Sequence, residues 1–137
     1  MIESLMREHA QLRRLAEEVE AAVGIQGGVG WDDCVVCDFK KLRATQERLA
    51  RELAEHEKAE ERVVAEMLRG RLSEEIENTH RTIERMLQLL RALSSLCDGQ
   101  HVHAIRTAAK RLRQELEQHL AYEEKTIFPA LRRGVKA

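Results

Sequence analysis

One short stretch of the sequence combines two side chains that could bind a metal ion. His56 and Glu60 are four residues apart, so on a helix they lie one turn apart on the same face. The positions that share this face run from Leu42 to Met67 at alternating steps of four and three residues, and most are apolar. This spacing is typical of the buried seam of a bundle helix. The sequence therefore predicts a buried imidazole and carboxylate, which need a compensating partner because a buried unpaired carboxylate is costly.

The same residue types interrupt three further apolar stripes. His119 is followed four residues later by Glu123, and His9 and His80 each occupy a seam position of another predicted helix. In an up-down bundle, the early parts of the first and third helices meet the late parts of the second and fourth. We therefore predict that six side chains converge on one layer of the core: His9, His56, Glu60, His80, His119 and Glu123.

Imidazoles and carboxylates in one layer suit non-haem iron, and also manganese or zinc. A single histidine on a seam is more often a hydrogen-bonded core residue. Six buried polar groups without a metal would, however, be a large liability for stability. The pattern as a whole therefore predicts a metal site.

Four amphipathic helices must position these residues. We predict them, approximately, at Ile2–Val23, Cys34–Arg69, Ser73–Cys97 and Gln100–Pro129. The four glycines from Gly24 to Gly30 end the first helix, and Asp32 or Asp33 is expected to cap the second. Pro129 is expected to end or kink the last helix. Short connections between the later helices predict an antiparallel arrangement.

The composition of the 137 residues agrees with this architecture. Leucine, alanine, glutamate and arginine dominate, with one proline and 3% aromatic residues, which favours helices over sheets. We expect a single domain over residues 1–137 with an all-α fold, an antiparallel up-down four-helix bundle.

Charge and hydropathy exclude several classes of function. The 23 basic and 24 acidic residues are interspersed and give a net charge of −1, so no nucleic-acid footprint or polybasic membrane tether is present. No apolar run is long enough to span a bilayer, and the N-terminus lacks a signal-peptide pattern. Three cysteines suggest a reducing compartment. We therefore expect a cytoplasmic protein.

Two other kinds of metal site fit the sequence less well. His56-Glu57 lacks the second histidine of the HExxH zinc-protease motif. Ferritin-like carboxylate sites need two Glu-x-x-His motifs, whereas this chain offers only Glu77-x-x-His80. The histidine-rich interpretation is therefore preferred.

The order of the six residues resembles the hemerythrin, or HHE cation-binding, domain family. The sequence from Tyr122 to Leu131, in which a carboxylate precedes an Ile-Phe-Pro step, is similar to the end of that family's domain. The resemblance covers essentially the whole chain. It implies a hemerythrin-like bundle with a non-haem, oxo- or hydroxo-bridged di-iron centre. The four histidines would be terminal ligands, and Glu60 and Glu123 would be bridging carboxylates.

Two departures from the oxygen-carrying members argue against simple oxygen storage. Glu84 stands where those proteins have a fifth histidine, and it is either a replacement ligand or a solvated residue. Their aspartate five residues after the last histidine is replaced by Glu123 at four residues and Glu124 at five.

We expect the protein to bind or sense dioxygen, peroxide, nitric oxide or iron. Catalase-like peroxide scavenging, nitrosative-stress repair and a structural metal are the alternatives, and whether the protein is an enzyme stays open. Its partner would be a small ligand, without nucleic acid or membrane. The chain would be a monomer or a weak homo-oligomer, with a protein partner if it is a sensor.

Several further residues carry weaker expectations. Cys34 and Cys37, near a predicted helix N-terminus, are either ordinary cysteines, a redox switch or the site of an intermolecular disulfide. Gln46 is expected to be a hydrogen-bonded core amide, and Tyr122 to pack between helices. The remaining expectations concern exposed positions: we predict solvated faces at Glu57, Glu61, His101 and His103. Glu57 or Glu61 could alternatively contact the ligands from outside the centre.

Overall fold

The computed structural model describes residues 2–27, 33–67, 71–95 and 102–133. Four long helices dominate it, which confirms the predicted all-α four-helix bundle. They are α1 (Ile2–Ala21), α2 (Phe39–Met67), α3 (Arg71–Ser94) and α4 (Val102–Tyr122). The chain continues from α4 through a π-helical turn (Glu123–Ile127) into α5 (Phe128–Arg132).

Side-chain bonds between the helices define their antiparallel directions. The guanidinium group of Arg91 on α3 makes two hydrogen bonds to Glu47 near the start of α2. Near the other end of these helices, His80 contacts Glu60. On the opposite side of the bundle, Arg13 of α1 contacts Glu117 of α4, and Glu20, later in α1, contacts Arg113, earlier in α4. These two helices therefore also run in opposite directions.

The apolar core is divided into two parts by a polar layer. The larger cluster includes Leu12, Leu53, Ile83 and Leu116, all nearly inaccessible to solvent. A smaller cluster at the other end is built from the following residues: Ile2, Leu5, Val64, Ile76, Ile127, Phe128, Ala130 and Leu131. In each long helix, the predicted metal-binding positions lie between these two clusters.

The segment between α1 and α2 differs from the prediction. A β-hairpin, made of antiparallel strands β1 (Val23–Gly27) and β2 (Asp33–Cys37), pairs Ile25 with Val35. The predicted start of the second helix at Cys34 is therefore wrong, because the Cys-Val-Val-Cys stretch favours a strand. Asp38 caps α2 instead, since its Oδ1 accepts a hydrogen bond from the backbone N–H of Lys41 at 3.1 Å.

The other helix ends differ from the prediction by a few residues. The third helix begins at Arg71, so Ser73 lies inside it rather than at its cap. Pro129 does not end the helical path, which continues to Arg132 with the proline in the first turn of α5. Proline is tolerated there because first-turn N–H groups have no partner within their own helix. Cys97, the predicted end of the third helix, lies outside the described residues.

Among the described helices, none combines the length and the apolar character that a bilayer-spanning segment requires.

Candidate metal centre

The six predicted residues are buried together at one level of the bundle. The exposed fraction is 5% for His119 and lower for the other five. One histidine comes from each long helix, while Glu60 follows His56 on α2 and Glu123 follows His119 at the start of the π-helical turn. The predicted convergence of imidazoles and carboxylates is thus present in the fold.

Inward-facing atoms of these side chains lie 3.0 to 3.9 Å apart. The Nε2 atom of His9 is 3.1 Å from Nε2 of His56 and 3.0 Å from Oε1 of Glu123. Across the centre, Nε2 of His80 is 3.2 Å from Oε1 of Glu60, and Nε2 of His119 is 3.1 Å from Oε2 of Glu123. All four histidines therefore direct the same ring atom toward the carboxylates.

Two overlapping groups of donors result from this arrangement. One contains His9, His56, Glu60 and Glu123, and the other contains Glu60, His80, His119 and Glu123, with donor atoms within 4.8 Å of one another in each. The two histidines of each group meet edge to face, with ring centroids 4.8 Å and 5.0 Å apart. Both carboxylates belong to both groups.

Outer carboxylates orient three of the imidazoles. The Nδ1 atom of His9 is 2.9 Å from Oε2 of Glu124. Nδ1 of His56 is 3.4 Å from Oε1 of Glu8, and Nδ1 of His80 is 3.3 Å from Oε1 of Glu61. An ionised carboxylate can only accept, so each of these Nδ1 atoms carries the proton. The Nε2 lone pair is then free to face the centre, as in a metal-ligating histidine.

Arginine holds one of these outer carboxylates in place. Arg13 donates from both terminal nitrogens to Glu124, at 2.7 and 3.1 Å, and from Nε to Glu117. This paired contact fixes the carboxylate plane. It also holds the pKa of Glu124 below its ordinary value: burial would raise that pKa, but the hydrogen bonds from Arg13 and His9 outweigh burial. The sequence did not predict an orienting role for Glu8, Arg13 or Glu124. The only signal for the two glutamates was that each is the sequence neighbour of a predicted ligand.

The π-helical turn explains why adjacent glutamates have different roles. The N–H of Phe128 bonds to the carbonyl of Glu123, five residues earlier, so the turn is wider than an α-helical one. Glu123 reaches the centre, whereas Glu124 reaches the outer side of His9. Phe128 then packs its ring 4.9 Å from that of His9. Such turns are frequent at functional sites.

Burial and hydrogen bonding shift the pKa values of the inner groups. Burial lowers the pKa of His119 to about 4, helped by the nearby charge of His80. Burial alone would raise the pKa of Glu60, but the adjacent imidazoles of His56, His80 and His9 outweigh burial and lower the pKa. At neutral pH, His119 is uncharged and Glu60 is ionised, which are the protonation states that metal ligands need.

Three acidic residues beside the centre differ from one another in exposure. Glu57 is 4% exposed, so its predicted position on a solvated face is wrong. Burial raises its pKa to about 8, although the charge of His80 opposes this and that of Glu84 adds to it. Glu61 is partly exposed, and Glu84 is exposed and belongs to neither donor group.

The unpaired atoms of the described site fit a bound cation. Both oxygens of Glu123, Oε2 of Glu60 and Nε2 of His119 are buried without a hydrogen-bond partner. Several of them lie near imidazole nitrogens, yet their geometry is not that of a hydrogen bond. Ligands that face a shared ion have this relationship, since each directs its lone pair to the ion rather than to its neighbour. A cation would compensate these groups.

The weaker expectations have mixed outcomes. Gln46 is a hydrogen-bonded core amide as predicted, with Nε2 2.9 Å from Oγ of Ser94. Tyr122 packs at a helix interface and donates to Glu75 at 2.9 Å. His103 is exposed as predicted, and His101 lies outside the described residues. Cys34 and Cys37 belong to β2 rather than to a helix N-terminus.

Fold and site together define a four-helix bundle with a buried His/Glu cluster that could bind metal. The family model described as the hemerythrin HHE cation binding domain matches residues 1–79 and 71–137, so the chain belongs to this family. This confirms the family that the sequence resembles. Comparisons with curated proteins and with solved structures gave no significant match.

Proposed function

We propose that the protein holds a non-haem di-iron centre that binds or reacts with dioxygen, peroxide or nitric oxide. The four histidines would be terminal ligands, two to each ion. Glu60 and Glu123 would bridge the ions. Such a centre supplies redox-active iron with positions open to a small ligand.

The shared carboxylates are the observation that carries this proposal. Glu60 and Glu123 belong to both donor groups, and each group adds two histidines of its own. A single ion would account for one group and leave the other histidine pair uncompensated in the core. Two ions that share the carboxylates would account for all six side chains.

The donor types and their surroundings support iron with small ligands. Mixed nitrogen and oxygen donors suit non-haem iron, and four protein groups for each ion leave an octahedral site incomplete. Apolar residues above and below the layer, including Leu12, Leu53, Ile83 and Phe128, are almost fully buried. They would restrict water and favour a small, weakly polar ligand at the centre.

The glutamates that contact the outer nitrogens of the histidines would change how strongly these histidines bind metal. Glu8, Glu61 and Glu124 accept hydrogen bonds from Nδ1 of three histidines, which makes those imidazoles better donors. His119 has no such partner within the described chain. Of the two histidines that would bind the second ion, His80 and His119, His119 would thus be held less firmly. We propose that this ion exchanges small ligands more readily than the ion bound by His9 and His56.

Catalase-like peroxide scavenging and nitrosative-stress repair are alternatives that would use the same ligands. They differ from binding or sensing by turnover, so the experiment must measure both. The iron-loaded, reduced protein is mixed in separate experiments with dioxygen, nitric oxide and peroxide while its absorption spectrum is recorded. Oxygen release from peroxide is followed in parallel.

Two histidine variants provide the comparison. His56→Ala removes an inner ligand, whereas His103→Ala removes an exposed imidazole on α4. We expect the spectral response in the wild type and in His103→Ala but not in His56→Ala. Sustained oxygen release would identify an enzyme, and a stoichiometric, reversible change would identify a binding or sensing protein. A spectrum indifferent to all three ligands would overturn the proposed function and leave a structural metal.

A further inference from the structure

A surface cleft between α2 and α3 leads toward one side of the candidate centre. Its volume is about 410 Å³, and His80 is among the residues that line it. The other residues of its lining are Ala54, Glu57, Lys58, Glu61, Glu77, Arg81 and Glu84. An inner histidine of the centre is therefore part of a cleft wall.

Glu57 is the most unusual residue of this cleft. It is 4% exposed, and its Oε1 atom is buried without a hydrogen-bond partner among the described residues. The charged neighbours that act on it are His80, Glu84 and Glu61. Among these neighbours only His80 attracts the carboxylate, and burial and the two glutamates outweigh it. A cation in the cleft would compensate the unpaired oxygen.

Charges in the lining favour a cation as the occupant. Four carboxylates face two basic side chains, Lys58 and Arg81. The Arg81 guanidinium lies 3.7 Å from Glu77, its neighbour one turn earlier on α3. Glu61 and Glu84 then remain near Lys58, and the buried Glu57 adds a third carboxyl group to the same wall. A cleft lined by one sign of charge concentrates ions of the opposite sign and raises their association rate.

A short chain of contacts links the cleft to the centre. Oε1 of Glu61 is 3.3 Å from Nδ1 of His80, and Nε2 of the same ring is 3.2 Å from Oε1 of Glu60. Given the di-iron centre of the proposed function, on which this inference rests, we propose that divalent cations bind first at Glu57, Glu61 and Glu84. They then pass His80 to reach the inner ligands.

The cleft suits transient rather than permanent binding. Among the described residues, Glu57, Glu61 and Glu84 do not form a group with donor atoms close enough to hold an ion tightly, whereas the inner residues do. The cleft between α1 and α2, of about 110 Å³, also contains glutamates, but no inner histidine lines it. The groove between α1 and α4 has arginines in its walls. The α2–α3 cleft therefore combines negative charge with direct contact to the centre.

Stopped-flow uptake of Co²⁺ by the metal-free protein of 137 residues tests this inference, with visible absorption as the readout. Glu57→Gln, Glu84→Gln and the double variant remove carboxyl groups from the cleft with little change in shape. The matched control is the double variant Glu17→Gln with Glu55→Gln, which removes two exposed carboxylates that line the other two clefts. His56→Ala identifies which absorption bands come from the inner site.

We expect the cleft double variant to take up Co²⁺ about tenfold more slowly at low salt, with an unchanged final amount. The difference should shrink at high ionic strength. Equal uptake rates in the cleft and control variants, or a lower final amount in the cleft variants, would overturn the uptake role. If the wild type shows no His56-dependent bands, the proposed centre itself fails. Because Glu84 is exposed, its single variant also tests the role without altering the core.

Discussion

Three of the four inner imidazoles are oriented as potential metal ligands by what their outer nitrogen contacts. His9 donates its Nδ1 proton to Glu124, which Arg13 holds with two hydrogen bonds. The ring is thus fixed in the tautomer that presents Nε2 to the centre. Equivalent contacts from Glu8 and Glu61 orient two other rings.

Removing the outer carboxylate of His9 should weaken metal binding without removing a ligand. We expect Glu124→Ala to lower iron affinity by about 10- to 100-fold, the usual cost of losing a carboxylate that orients a ligating histidine. The measurement is a chelator-competition titration. Glu117→Ala is the control, because Glu117 also contacts Arg13 but bonds to no histidine among the described residues. Equal affinities in the two variants would contradict the orienting role.

Glu57 should make the stability of the metal-free protein depend on pH. Its pKa is raised to about 8 in the fold from an ordinary value of 4.5. Between these values the unfolded chain has lost a proton that the folded chain retains, so the free energy of unfolding falls as pH rises. Glu57→Gln removes this loss. We therefore expect the melting temperature of Glu57→Gln, relative to that of the wild type, to increase from about pH 5 to about pH 8.

The exposed variant Glu55→Gln serves as the control for this pH series. A constant difference in melting temperature between Glu57→Gln and the wild type across the range would show that Glu57 titrates normally.

At the scale of the elements, the π-helical turn separates two glutamates that the sequence presents side by side. Helical periodicity predicted that Glu123, four residues after His119, would face the core, and it does so. It could not predict that Glu124 would reach His9, since this depends on the wider turn. The hairpin was missed for a related reason, because strand pairing between Ile25 and Val35 depends on both segments together.

The bond between Gln46 and Ser94 joins α2 and α3 far from the candidate centre. Ser94 is fully buried and lies 2.9 Å from the amide nitrogen of Gln46. We expect Ser94→Ala to lower the free energy of unfolding by about 1–3 kcal/mol, because a buried amide loses a partner. Iron content should not change.

Denaturant unfolding measures this effect, and Ser95→Ala is the matched control. Ser95 is exposed, and its hydroxyl bonds to the carbonyl of Ala92. A loss of iron in Ser94→Ala would contradict the expectation that this end of the bundle contributes to stability but not to metal binding.

Across the whole molecule, the two halves of the chain supply equivalent sets of candidate ligands. Residues 1–79 contribute His9, His56 and Glu60, and residues 71–137 contribute His80, His119 and Glu123. Each half therefore provides one histidine and one His-x-x-x-Glu pair. Because the helices are antiparallel, the two sets meet at one level, between the two apolar clusters.

The sequence predicted this layer well because burial and helical spacing determine it. All six inner residues follow from a polar side chain on an apolar seam. The outer shell did not follow, since Glu8, Arg13 and Glu124 sit at ordinary surface positions of their own helices and reach the site only through packing. The exposure of Glu57 was predicted wrongly for the same reason. Its position beside the seam predicts a solvated side chain, but packing next to α3 leaves it buried.

The number of iron ions bound by each chain tests the central claim most directly. Elemental analysis of the iron-loaded wild type should give about two ions per chain, one for each donor group. Glu60→Ala should lose most of both ions because it removes a carboxylate common to the two groups, while His103→Ala should retain both. One ion per chain in the wild type, or two ions in Glu60→Ala, would contradict a di-iron centre bridged by these carboxylates.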